Sequence, residues 1–374
     1  MLPRSSDEQH RAATPLELFF DLVFVVAIAQ AAGSLHHGLA SAHVGEAVLS
    51  YFMVFFAIWW AWMNFTWFAS AYDTDDIAYR VVVFVQLTGA LILAAGVPRA
   101  FEHGDFALIA AGYVVMRLAL VSLWLRAARS DPTRRASAHR YALGVTLCQI
   151  GWVAWLFVPS SWALPGFVGL VVAELLVPVW AERAALTSWH PGHIAERYGL
   201  FTIIVLGESI LAASIAIQSA TDAGHFTSDV GTIILGGLLI VFSMWWLYFE
   251  RSVHEQLASQ STAFIWGYGH YLIFASAAAV GAGLAVAVDF ATGHAEIGAF
   301  GAGAAVAVPV ASYLLGVWAL HARTRVDRPT AAFSVPAVAL LILLTPLTGH
   351  AVLVTGVLLA ALLATRLARV PSPS

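Results

Sequence analysis

Four ionisable side chains fall inside stretches that are otherwise apolar: Asp21, Arg117, Glu174 and Glu208. An ion in hydrocarbon costs about 2.5–3.5 kcal/mol on insertion scales, so each must face protein or water and have a partner. A buried acid without a cationic partner is suited to take up and release a proton, as a proton carrier or a general acid does. Glu208 stands about twelve residues beyond the pair Glu196-Arg197, and at about 1.5 Å per residue that sets it near a membrane midplane. Arg197 and Glu208 are eleven positions apart. That is almost three turns, so they share one helix face with Phe201 and Ile204 between them. Asp21 follows Glu17 by four residues, which puts both acids on one face with Asp21 a turn deeper. Glu17 also has a structural use as the third residue of a capping box opened by Thr14 and Pro15; Asp21 is too far along the helix for that. Arg117 requires Asp21, Glu174 or Glu208 as its counter-ion. Glu174 precedes Pro178, where the missing amide hydrogen bond can kink a helix and make room for a ligand, or simply serve packing.

Aromatic residues gather where belt tryptophans are not expected. Trp59, Trp60 and Trp62 lie mid-run with Phe52, Phe55, Phe56 and Phe65, and Trp245 and Trp246 stand in a later run. Such rings can wall a pocket for an apolar or cationic ligand, or serve packing and lipid contact. Asn64, Gln30, Gln86, Gln149 and His270 add polar groups within runs. His36, His37 and His43 read as a solvated external loop, without metal-ligand spacing. The sequence predicts no metal and no cofactor.

The elements that must position these residues are membrane helices. The 374-residue chain is 60% hydrophobic and 11% charged, with a mean hydropathy of +0.81; water-soluble domains are usually about 25% charged. Apolar runs at about 15–34, 47–71, 79–97, 106–127, 141–158, 163–181, 198–219, 230–250, 264–288, 297–320, 332–347 and 350–367 predict an all-α polytopic bundle of about twelve transmembrane helices. The fifth and eleventh are short or marked by proline, and the count falls to ten or eleven if one is re-entrant. No cleavable leader is expected, because the first run carries Glu17 and Asp21. The expected organisation is a segment 1–13, one membrane domain 14–368 with candidate halves 14–185 and 186–368, and a tail 369–374.

Arginine distribution tests the count. Of the eighteen arginines, sixteen fall at the N-terminus, in alternate loops or in the tail; Arg99 lies on the opposite side and Arg117 within a run. By the positive-inside rule both termini are cytoplasmic. The Arg-rich fourth loop has anionic lipid headgroups as its expected contact, so membrane lipids are the expected partners alongside an unidentified solute or ion. Net charge is −4 and lysine is absent; nothing suggests a nucleic-acid surface. The single Cys148 excludes an intrachain disulfide. Gly281, Gly283, Gly298, Gly301 and Gly303 permit close helix approach.

The halves resemble one another faintly. Phe55 to Trp62 echoes Val241 to Tyr248, and Leu123-Trp124 with Asp131-Pro132 is echoed by Val317-Trp318 with Asp327 and Pro329. Six helices separate each pair, as in transporters built from two parallel six-helix repeats; chance likeness between Trp-rich helices remains the alternative.

Taken together, Pro15-Leu-Glu-Leu-Phe-Phe-Asp-Leu-Val-Phe-Val, Glu196-Arg-Tyr-Gly-Leu-Phe-Thr-Ile-Ile-Val-Leu-Gly-Glu-Ser209 and Trp245-Trp-Leu-Tyr-Phe249 resemble the bacterial low temperature requirement protein A (LtrA) family over nearly the whole chain. The resemblance implies a bacterial inner-membrane protein with Glu17, Asp21, Glu196, Arg197 and Glu208 as its functional core, and implies no settled substrate.

The expected function is a proton-linked secondary transporter or permease. Its pathway comprises Glu17, Asp21, Arg117, Glu174, Glu196, Arg197 and Glu208. One rival is a membrane-embedded enzyme on a lipid or isoprenoid, with Asp21 or Glu208 as general acid and Trp59, Trp60, Trp245 and Trp246 as the wall. Another is an accessory membrane protein in cold adaptation. The absence of a nucleotide loop or nucleophile elbow counts against an ATP-driven pump in this chain alone.

Overall fold

The computed structural model describes residues 1, 3–4, 8, 11–222, 224, 227–250, 257, 260–322 and 329–368, with the side chains of 260–261 and 321–332 left aside. Arg251, Arg323, Arg325, Arg328 and Arg369, counted above as loop and tail cations, lie outside the described residues or side chains, as do the echo at Asp327 and Pro329 and the tail 369–374.

Among the described residues the chain is helical throughout: α1 (Pro15–Ala40), α2 (Val44–Tyr72), α3 (Ile77–His103), α4 (Ala107–Ser130), α5 (Arg135–Trp155), α6 (Ser160–Glu182), α7 (Pro191–Asp222), α8 (Ser228–Phe249), α9 (Gln260–Ala291), α10 (Ala299–Val317), α11 (Pro329–Leu344) and α12 (Ala351–Leu367). Nine of them are long and apolar enough to cross a membrane by length and composition. Of the other three, α5 is less apolar, and α11 and α12 are short, at 16 and 17 residues. The fold is a polytopic membrane bundle.

Four helices begin or end six or seven residues from their expected limits, α1, α3, α5 and α7, and the shifts of α1 and α7 move residues read above as loop into helix. α1 continues six residues past the expected end at 34, because Leu35 and Leu39 extend its buried stripe. His36 and His37 therefore lie in its last turns and not in a loop. α7 starts at Pro191 instead of 198. Proline followed by glycine reads as a break, yet proline is favoured at a first helical position. Here the His190 imidazole caps the start: its Nδ1 accepts the His193 amide at 3.1 Å, while Nε2 meets the Glu8 carbonyl at 2.8 Å. Arg197, counted above as a loop cation, is consequently a helical residue and fully buried.

The helices sort into two compact units, neither contiguous in sequence: Met1–Gln30 with Phe56–Tyr198, and Ala31–Phe55 with Gly199–Ser374. α1, α2 and α7 each contribute to both. In the first unit α3 packs on α4, α4 on α5 and α5 on α6. The α3–α4 crossing is close enough that a Cβ on Gly89 would lie 2.7 Å from the Gly112 carbonyl oxygen. Phe20, from α1, stacks on Phe24 and on Phe65 of α2 at centroid distances of 4.7 and 3.9 Å. The second unit pairs α9 with α10 and α8 with α12, and α10 with α11. α9 is its most buried helix. Of the five glycines expected to allow close approach, Gly281, Gly283 and Gly303 do so against Ser209, Ala305 and Pro346, whereas a Cβ at Gly298 would meet nothing.

Candidate functional site

Residues of α1, α2 and α7 build a charged cluster within the first unit. The capping box forms as read: the Thr14 amide donates to Glu17 Oε2 at 2.8 Å and the Glu17 amide to Thr14 Oγ1 at 3.3 Å. The same carboxylate does more than cap. Glu17 Oε1 lies 3.0 Å from Arg197 Nη1 and Oε2 lies 3.2 Å from His193 Nε2. One turn deeper, Asp21 Oδ1 accepts from Arg197 Nη2 at 2.5 Å and from the Trp62 indole at 2.7 Å. His193 and Arg197 are one helical turn apart, so α7 presents imidazole and guanidinium side by side to the two acids of α1. Glu17, Asp21, His193 and Arg197 are all at most 1% exposed.

The oxygens are used unequally. By hydrogen-bond geometry one oxygen of each acid is unmet, Glu17 Oε1 and Asp21 Oδ2; Glu17 Oε1 is nevertheless held in an ion pair with Arg197 Nη1. With the imidazole neutral, two carboxylates face one permanent cation, an excess of one negative charge.

Within electrostatic reach of Glu17 is the corner between α2 and α3. Asp73 is buried there, and burial, with the nearby Glu17 second, raises its carboxyl to about 6. Its Oδ1 accepts the Asp75 amide at 3.1 Å. Arg11 is buried beside it and donates to the carbonyls of Ser70 and Ala69 at the end of α2, the second at 2.7 Å. Burial lowers its pKa. Asp76 caps α3 through the Tyr79 amide at 2.9 Å and pairs with Arg126, whose hydrogen bonds hold its carboxyl well below the usual range.

The first unit holds a second buried ion pair. Arg117 of α4 finds its counter-ion in Glu174 of α6, Nη2 to Oε1 at 3.4 Å, and donates to the Tyr113 hydroxyl at 2.6 Å. Glu174 is enclosed further by two indoles, Trp60 to Oε2 at 2.8 Å and Trp152 to Oε1 at 3.2 Å.

The remaining expected site residues stand apart from both groups. Glu196 is on the exposed side of α7. Glu208, in the second unit, is half-buried, and no hydrogen bond or ion pair reaches it among the described residues. Trp59 and Trp60 are buried, but their counterparts Trp245 and Trp246 are exposed, so the likeness of α2 and α8 does not extend to environment. His36 pairs with Asp289 at 2.7 Å. Among the described residues no three of His, Cys, Asp or Glu come together as a metal site.

Sequence reasoning missed His193 and Asp73. The four-residue spacing of His193 and Arg197 was the available signal, and it was lost when the start of α7 was taken as loop. For Asp73 there was none, since its burial depends on how the α2–α3 corner folds back on the N-terminal segment.

Comparisons agree with the sequence motifs. The chain is 30% identical over 286 residues to an uncharacterized protein of Rhizobium meliloti (strain 1021), an alignment covering 72% of this chain and 68% of that one. No solved structure matches. The family model described as bacterial low temperature requirement A protein matches residues 12–369. With its membrane helices and nearly full-length match, the chain belongs to the LtrA family.

Proposed function

We propose that this protein is a proton-linked secondary transporter and that Asp21 is its proton-carrying residue. One observation carries the reading: the buried cluster holds two acids against one permanent cation, and Asp21 Oδ2 has no hydrogen-bond partner. Excess charge in a water-poor interior is costly, and one proton removes it. Oδ2 is the atom left to receive that proton, because Oδ1 is held by Arg197 and Trp62. His193 touches Glu17 and lies in the first turn of α7, which suits it to pass protons between the cluster and the membrane surface. Asp73, titrating at about 6 nearby, supplies the entry group. Glu17 and Arg197 then act as fixed counter-charges. In this arrangement both termini are cytoplasmic, on the side richest in arginine. No geometry favours the enzyme reading, since Trp245 and Trp246 face outward.

The test uses purified protein in liposomes with a trapped pH dye, under an imposed proton gradient and a panel of small solutes. Proton movement in the parent and its loss in Asp21→Asn is the expected result. Loss in Glu208→Gln with retention in Asp21→Asn would put the proton on the wrong acid. Infrared titration provides a readout without substrate: a protonated-carboxyl band that changes with pH is expected to vanish in Asp21→Asn and persist in Glu174→Gln.

A further inference from the structure

The Arg117–Glu174 pair leaves one partner satisfied and the other not. Both Glu174 oxygens accept hydrogen bonds, from Arg117, Trp152 and Trp60. Arg117, 2% exposed, uses only Nη2; its Nε and Nη1 have no hydrogen-bond partner. A guanidinium carries one hydrogen on Nε and two on each terminal nitrogen, so three donors are spare. Gln149, 7% exposed, has neither end of its amide engaged. It lies one turn before Trp152 on the buried face of α5, next to Cys148, which is within electrostatic reach of both Arg117 and Glu174. Leaving a buried polar group unmet is costly, and two side chains here carry that cost on adjoining helices.

From this we infer that Arg117 and Gln149 form a binding site for a small uncharged solute bearing carbonyl or hydroxyl oxygens, such as an amide, a urea or a polyol. The donor count sets the class. The unmet atoms carry three guanidinium hydrogens and two amide hydrogens against one acceptor, Gln149 Oε1, so the ligand must be rich in acceptors and carry at least one donor. Charge narrows it further: Glu174 already neutralises Arg117, and an anion would add an uncompensated charge to a buried site. Aromatic faces complete the surroundings, with the Tyr113 ring centroid 4.6 Å from the Arg117 guanidinium carbon and Phe167 5.1 Å from Trp152. This site is independent of the proton assignment to Asp21, which involves none of these residues.

Cys148 is the chain's sole cysteine and a native reporter. The full-length protein in detergent is alkylated with a water-soluble maleimide, with and without acetamide, glycerol or sodium acetate. Acetamide or glycerol is expected to slow labelling by the factor 1 + [L]/Kd, about tenfold at about nine times Kd. Gln149→Met, which keeps the side-chain volume, is expected to abolish protection while melting like the parent, and Gln149→Asn to retain part of it. Three results would overturn the inference: a thiol that never labels, labelling that neither uncharged solute slows, or protection by acetate alone. Should Gln149→Met fail to fold, parent protection and its partial retention in Gln149→Asn still decide.

Discussion

Arg197 meets two carboxylates and gives a neighbouring imidazole its electrostatic setting, so its removal should be felt through what it leaves behind. Breaking a buried ion pair from one side costs about 3–5 kcal/mol, mostly because the opposite charge stays buried. Arg197→Met is therefore expected to lower the melting temperature in detergent sharply. Adding Glu17→Gln and Asp21→Asn to the same chain should recover most of the loss, since no uncompensated ion remains; a triple variant as unstable as the single one would show that packing dominates. The types and depths of the acids were legible in the sequence because apolar surroundings make any charge conspicuous. Which acid meets which arginine was not. Arg117 had three candidates, and the choice of Glu174 depends on how α5, packed on both α4 and α6, sets those two helices, a contact 57 residues apart. Likewise a buried indole demands a partner, but nothing local told that Trp60 and Trp62 would serve two different carboxylates.

At the level of elements, caps and corners decide where the charges sit. The capping box at Thr14 was readable because its partners are three residues apart. The imidazole cap of α7 was not, since histidine is an uncommon N-cap and Pro191-Gly192 imitates a turn. The α2–α3 corner gives a pH-dependent prediction. Asp73 has its pKa raised from 3.8 to about 6. Folding therefore favours its protonated form, a contribution complete below about pH 4 and lost as pH rises through about 6. The displacement is worth at most about 3 kcal/mol. Asp73→Asn keeps the oxygen that accepts the Asp75 amide and removes the charge. It should melt above the parent near pH 7.5, with the difference closing near pH 4, as differential scanning fluorimetry would show. A second prediction concerns the α3–α4 crossing. There a Cβ on Gly112 would lie 2.5 Å from the Leu93 amide nitrogen, so Gly112→Val must push two backbones apart. Overpacking of this kind costs about 1–3 kcal/mol, and the variant should show earlier proteolysis of the α3–α4 hairpin.

For the whole molecule, composition was enough to set the class, and apolar runs with arginine placement gave twelve helices, though α1, α3, α5 and α7 each have one limit six or seven residues from the expected one. Length and composition together qualify fewer as spans: α11 and α12 are short, and α5 is diluted by Arg135, Arg140 and Gln149. Reporter fusions test the proposed orientation, with a reporter at either terminus or in the α4–α5 loop expected to read as cytoplasmic. A periplasmic reading in that loop with cytoplasmic termini would mean that one of α1 to α4 does not cross. The interleaving of the two units was beyond the reach of sequence reasoning, because α1, α2 and α7 change unit partway along without any break in pattern.

Trp60 and Trp62 carry a mechanical consequence. Two residues on a helix project about 200° apart, so the indole holding Glu174 and the indole holding Asp21 leave α2 on nearly opposite flanks. They are rigid spokes on one axle. A small rotation of α2 about its own axis swings their two nitrogens in opposing directions across the bundle, so loosening the grip on one carboxylate by such a turn also shifts the grip on the other.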